Sequence, residues 1–261
     1  MTYLKRCLEH PLTRGLDIDD PATTQLRRRI LEEKPFLRRI YEEWYGAISR
    51  SLPAGNEPVL ELGSGAGFLA EHVPGLIRSE VFLCGGGAVD AVLDGLALPL
   101  ADRSLRAVAM TNVLHHLPRP RRFFAEAARC VVPGGVVSMI EPWNTPGSRW
   151  VYGRLHHEPF LPAAPEWEPP AGGPLSGANG ALPWILFARD REVFEREVPW
   201  WRIRSIEPMM PFRYLLSGGV SMRSLMPAWT HRLWRGVERM VDPRGERLAM
   251  FAHIVLERRA A

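Results

Sequence analysis

The chain has 261 residues, 46% of them hydrophobic and 24% charged, proportions that supply a large buried core and exclude an intrinsically disordered polymer. The formal net charge is +4, from 33 Lys+Arg against 29 Asp+Glu, so charge alone does not argue for nucleic acid, and no RNA-binding motif is present. The uncharged apolar run 131–140 is far short of the roughly 20 residues of a membrane span, no signal peptide is evident, and the odd set Cys7, Cys84 and Cys130 shows neither disulfide nor metal-ligand spacing, so a cytoplasmic protein without a membrane span is expected.

The first predicted elements are helical. Asp20-Pro21 supplies a cap and a first-turn proline, after which Leu26, Ile30 and Leu31, then Phe36, Leu37, Ile40, Tyr41 and Trp44, recur every three or four residues. Pro35 lacks an amide proton and should split this stretch into two helices. After a break at Pro53, Gly55 and Pro58, short apolar runs follow at Pro58 to Leu62, Val81 to Leu83, Val89 to Leu93, Ala107 to Thr111 and Val136 to Ile140. Helical stretches are expected after the first and fourth runs, an alternation that predicts a parallel sheet with both faces covered.

From Asn144 to about Pro183 the composition turns to Pro, Gly and Trp, which predicts a long lid-like loop carrying apolar side chains. Arg189 to Val198 then reads as helix, Trp201 to Ile206 as strand, Met222 to Val241 as broadly helical and Leu248 to Leu256 as a final strand. Pro208 to Gly219 is apolar without regular period, suited to an apolar acceptor pocket or a membrane-facing patch.

The segment Val59-Leu60-Glu61-Leu62-Gly63-Ser64-Gly65-Ala66-Gly67-Phe68-Leu69 combines a buried strand, a glycine turn and a new helix. Glycines let the main chain approach a ligand, and a helix start offers free N–H groups there. A dinucleotide fingerprint needs Gly-x-Gly-x-x-Gly, so glycines at 63, 65 and 67 disfavour NAD and FAD. Downstream come Leu93-Asp94-Gly95-Leu96, then Ala107 to Asn112 followed by Val113-Leu114-His115-His116-Leu117, then Val132-Pro133-Gly134-Gly135 leading into a strand that ends at Glu141.

In this order the motifs from about Val59 to Pro142 resemble class I S-adenosylmethionine-dependent methyltransferases, in particular the small-molecule, type 11-like branch. The resemblance implies a doubly wound, mostly parallel seven-stranded Rossmann-like sheet with an antiparallel final strand, an N-terminal helical cap and a lid insertion. It divides the chain into a cap (1–57), a cofactor-binding core (58–143), a lid or substrate insertion (144–200) and a C-terminal completion of the sheet (201–261). It implies S-adenosylmethionine as cofactor, held at its methionine end by Glu61, Gly63, Ser64, Gly65 and Gly67, at adenine by Asp94, Gly95 and Leu96, at the sheet edge by Asn112, and covered by Tyr41. The implied partner is a small-molecule acceptor, apolar or lipid-linked, methylated at O, N or C, with oligomeric state left open.

The family's second strand ends in an acid that bonds the ribose hydroxyls, whereas the run Leu83-Cys84-Gly85-Gly86-Gly87-Ala88 offers none. Asp90 is the nearest substitute, and a noncatalytic scaffold with a degenerate site is the alternative that this gap motivates. His115 and His116 follow the fourth strand, where a proton acceptor for methyl transfer belongs, and Glu141 ends the fifth strand at the same edge. The doublet His156-His157 with Glu158 lacks further ligands at suitable spacing, so no metal is expected.

Overall fold

The sheet is built outward from β1 (Val59–Leu62), buried at every position as a strand covered on both faces must be. The computed structural model describes residues 10–13, 19–65, 67–83, 89–155, 158–169, 172–173 and 175–260. In it β2 (Leu76–Glu80) and β4 (Leu105–Thr111) flank β1 in parallel, with β3 (Ala91–Val92) outside β2 and β5 (Val131–Pro142) outside β4. β7 (Phe251–Arg258) runs antiparallel to β5, and β6 (Trp201–Met209) antiparallel to β7. The seven-stranded order is β3-β2-β1-β4-β5-β7-β6, the doubly wound sheet with a reversed final strand that the sequence implies. Strand order reverses between β1 and β4, and the crevice at the carboxyl ends beside such a switch point is where ligands of these sheets bind.

Helices cover both faces. α1 (Pro21–Glu33) and α2 (Pro35–Ser51) each begin on a proline, and Asp20 caps the first by accepting from the Ala22 N–H at 2.8 Å. Pro35 separates them as predicted. α2 turns Phe36, Leu37, Ile40, Trp44 and Ile48 onto Val59, Ala107 and Val136, while α3 (Pro120–Cys130) packs Phe123 and Phe124 on the other face against Leu60, Leu62 and Met110. Neighbouring residues of one strand thus serve opposite cores. Truncating Phe123 or Phe124 to alanine would cost about 3–5 kcal/mol.

Several expectations are corrected. The second strand is Leu76–Glu80 and not Val81 to Leu83, whose Val81 and Leu83 are exposed. The first strand leads into one 3-10 turn, Phe68–Glu71, where a helix was expected. The segment after Asn144 opens with α4 (Pro146–Leu155) and later buries Trp167, Ala178 and Leu182 in the core. It continues through Leu182–Trp184 and a π-helix, Ile185–Arg189, into α5 (Arg191–Glu197). Its apolar residues make it a packed layer over α3. The last connection holds α6 (Arg213–Ser217), a 3-10 turn Ala228–Thr230 and α7 (His231–Val241), so the helix expected from Met222 starts nine residues late. Cys130 is buried in the core; Cys7, Ala66, the stretch Cys84 to Ala88 and His156-His157 lie outside the described residues.

Candidate active site at the carboxyl edge

Gly63, Gly65 and Gly67 all have left-handed φ, +65°, +51° and +72°, which L side chains rarely adopt. A Cβ on Gly63 would strike Val113 Cγ2 at 2.5 Å, whereas one on Gly65 would meet nothing closer than Gly63 O at 3.8 Å and Arg27 Cδ at 3.9 Å. The turn is therefore shut toward β4 and open beneath Arg27. Ser64 ties it to β2: its N–H donates to Ser79 O (2.9 Å) and its hydroxyl accepts from Ser79 N–H (3.0 Å).

Two carboxylates stand at the ends of adjacent strands. Glu61 is buried, and its Oε2 has no hydrogen-bond partner. Burial, with the nearby Glu80 adding repulsion, pushes its carboxyl up to about 8 against the pull of Ser64. An unpartnered buried carboxylate oxygen is costly unless a ligand donates to it. Glu80 closes β2, and its Oε1 accepts from the Gly65 N–H at 2.6 Å. Burial raises it as well, opposed first by Gly65 and then by the positive charge of Arg27.

Glu80 corrects the sequence reading, which found no acid at the end of the second strand. The substitute offered there, Asp90, is exposed and committed to Arg78 by bonds of 2.7, 2.9 and 3.0 Å. Arg27, on α1, overhangs the turn and acts electrostatically on Tyr41, Glu80, His116 and Tyr214. Tyr41 itself packs on Trp44 at 4.9 Å and Tyr45 at 5.7 Å.

Beyond β3, Asp94 is exposed, and its Oδ1 accepts from Leu96 N–H at 2.8 Å in an Asx turn. Gly95 and Leu96 are buried against Leu62, Leu117 and Phe123, so they shape the wall behind Asp94. Asn112 directly follows β4 with φ +58°, a left-handed conformation asparagine tolerates, and its N–H donates to Ile140 O.

Glu141 is fully buried and organises the turn after β4. Its Oε1 accepts from Val113 N–H (2.8 Å) and Leu114 N–H (2.7 Å), and its Oε2 lies 2.6 Å from His115 Nδ1. His115 Nε2 faces Glu158 Oε2 at 3.4 Å. Burial works against a charged ring here, but the two carboxylates outweigh it and hold His115 at about 9. Burial and then repulsion from His115 pull His116 down to about 3, and its Nδ1 is buried without a partner. Ligand atoms of His115, His116 and Glu158 lie within 4.8 Å of one another, a grouping able to hold a cation; the direct His115–Glu158 contact already neutralises two of the three.

The structure therefore brings Glu61, the glycine turn, Asn112, His115, His116 and Glu141 to one edge, with Asp94 beyond β2. Reasoning from sequence missed Glu80 and Arg27, and it weighed Glu158 only beside His156-His157, where the structure sets it against His115 and His116. Of those two, only Glu80 left a signal, a five-residue stretch Leu76-Ile77-Arg78-Ser79-Glu80 directly after Pro74-Gly75, which the helical stretch expected after the first strand absorbs.

Comparison with known proteins places these features. Residues 60–139 match the family described as Methyltransferase domain. A Mycobacterium ulcerans (strain Agy99) protein described as an uncharacterized methyltransferase is 28% identical over 198 residues, 65% of this chain and 78% of that one. Geranyl diphosphate C-methyltransferase of Streptomyces coelicolor A3(2), solved with Mg2+, geranyl diphosphate and S-adenosyl-L-homocysteine, is similar at TM-score 0.53 and 14% identity, over 85% of this chain and 80% of that one. The [4+2]-cyclase SpnF is similar at TM-score 0.50 and 12% identity, over 84% and 81%. At such identities the solved structures show a common fold, and a fold shared with a cyclase does not name the reaction. The family match and the curated relative go further than the fold: residues 60–139 match a methyltransferase domain, set in a seven-stranded sheet of order β3-β2-β1-β4-β5-β7-β6.

Proposed function

We propose that the protein transfers a methyl group from S-adenosylmethionine to a small or amphipathic acceptor at O, N or C. The observation that carries this reading is Glu61 Oε2, buried and unpartnered beside a glycine turn whose open side faces a second carboxylate, Glu80. The residues fit the cofactor: Glu61 and the main chain of Gly63, Ser64, Gly65 and Gly67 for the amino-acid end, Glu80 for the ribose, Asp94, Gly95 and Leu96 for the base, with Asn112 and Tyr41 beside them. When bound, S-adenosylmethionine supplies an electrophilic methyl on a sulfonium, and the protein's task is mainly alignment.

For an acceptor that must lose a proton, the group at hand is His115, oriented through Nδ1 by Glu141. Its Nε2 takes the proton when the ring is neutral, so turnover rises as pH approaches about 9. His116 stays neutral and offers Nδ1 as a hydrogen-bond acceptor. The segment 144–200 serves as the acceptor-side cover: Glu158 reaches His115, and Asn179 N–H donates to His115 O at 3.0 Å. The division at 57, 143 and 200 follows from those roles. No described helix is long and apolar enough to cross a membrane, and we assign the protein to the cytoplasm.

The scaffold alternative rested on a missing ribose acid, and Glu80 removes that motive. Isothermal titration of the full chain with S-adenosylmethionine and S-adenosylhomocysteine tests the proposal. One-to-one binding of both is expected; no heat at millimolar ligand sinks it.

A further inference from the structure

α7 leaves a stripe of large apolar side chains on its solvent face. It buries His231 and Glu238, where Glu238 holds Arg213 Nε at 2.5 Å and the Phe212 and Arg213 N–H groups. Trp234 packs inward on Phe212 at 5.8 Å, but other large apolar side chains face outward: Leu233 is 62% exposed and Met240 84%, with Trp229 on the preceding turn at 77%. These three recur at four and seven residues, one helical stripe. Val241, 56% exposed, extends it.

The same face is basic. Arg232, Arg239 and Arg244 are exposed, and among the described residues none lies in an ion pair. The acids of the helix are turned away, since Asp242 is buried and accepts from the Leu248 N–H at 2.7 Å. Soluble helices bury apolar residues and expose charged ones, whereas a helix lying in a bilayer interface presents large apolar side chains between arginines. A second copy would bring like charges together, and nucleic acid would leave the apolar stripe without a partner.

We infer that α7, with Trp229, is the docking surface for a membrane of anionic phospholipid, its arginines on the headgroup phosphates and Trp229, Leu233 and Met240 in the acyl boundary. Position supports this occupant. α7 lies in the connection from Met209 to Phe251, and Phe251 pairs with both Met209 and Pro142. The connection therefore leaves the sheet at the edge where Glu141 stands, and its Tyr214 packs on Trp44 and Phe251. The bilayer would be met on the side from which the acceptor enters. Resting on the methyl-transfer reading, this selects the lipid-linked class among its acceptors.

The test is co-sedimentation of the full chain with vesicles of phosphatidylcholine alone and of phosphatidylcholine with phosphatidylglycerol. Binding should be at least about tenfold stronger to the anionic vesicles, weaken with added salt, and fall about tenfold in Leu233→Ser/Met240→Ser. S-adenosylhomocysteine affinity, measured on the same preparations, should be unchanged and reports folding. Equal or absent binding to the two vesicles overturns the inference, as does a dimer in sedimentation velocity that the double variant dissociates. Vesicle binding without S-adenosylhomocysteine binding would instead sink the methyl-transfer reading and leave the surface standing.

Discussion

Glu80 Oε1 accepts a 2.6 Å hydrogen bond from the Gly65 N–H, so the carboxylate that ends β2 is locked to the glycine turn that leaves β1. One oxygen positions the turn and the charge remains for a ligand. Glu80→Gln keeps an acceptor for Gly65 and loses the charge. It should weaken S-adenosylhomocysteine binding about ten- to a hundredfold, the worth of a charged hydrogen bond, with unfolding temperature little changed. Unaltered affinity by calorimetry would place the ribose elsewhere.

Glu61 predicts a proton linkage. Its carboxyl is held at about 8, so below that pH it is largely neutral before ligand binds. A ligand ammonium needs the ionised form, and binding must then release a proton. Affinity for S-adenosylhomocysteine should rise with pH from 6 toward about 8 and level off above it. Calorimetry at pH 7 in buffers of different ionisation enthalpy should report release of up to about one proton per ligand. Glu61→Gln should abolish the release; a wild-type chain with no buffer dependence would mean that Glu61 does not meet the amine.

The sheet was legible because burial leaves a mark in composition. Val59 to Leu62 and Ala107 to Thr111 are covered on both faces and read as apolar runs. Leu76–Glu80 escaped notice because it lies next to the short edge strand β3, where Arg78 can reach solvent and Asp90. Its true end places an acid where the run Val81 to Leu83 promised none. Glu141 was legible as a position only, since its role depends on three contacts made 26 to 28 residues earlier in the chain. The period of α1 marked its buried face but not that Arg27 reaches the site, and Glu158 approaches from a loop whose packing has no sequence period.

Glu141 should control the charge of His115. With both carboxylates in place the ring is held at about 9, so its ion pairs contribute fully below the ordinary histidine value of about 6.5 and fade as pH rises through 9. Glu141→Gln keeps an acceptor for Val113 and Leu114 but withdraws the negative charge from Nδ1. Nitrogen-detected NMR of histidine-labelled protein should show the His115 midpoint falling by more than one pH unit. A midpoint unmoved by the substitution would show that Glu158 alone holds the proton.

His253 should make the fold sensitive to acid. Its Nε2 lies 3.0 Å from Ser138 Oγ, which also receives the Ser51 hydroxyl at 2.8 Å, all beneath α2. Burial, then Arg50, pull the ring down to about 4, whereas in the unfolded chain it titrates near 6.5. The unfolded state therefore binds the extra proton between those values. Stability present above pH 6.5 drains away as pH falls toward 4, by up to about 3 kcal/mol at the lower limit. His116 and His231 shift in the same direction, so only a difference isolates His253. Urea unfolding of wild type and His253→Gln at pH 7 and pH 4.5 should show the variant losing about 2 kcal/mol less over that interval. Equal losses would mean that the ring is hydrated in the folded protein and that the Ser51–Ser138–His253 cluster admits water beneath the helix.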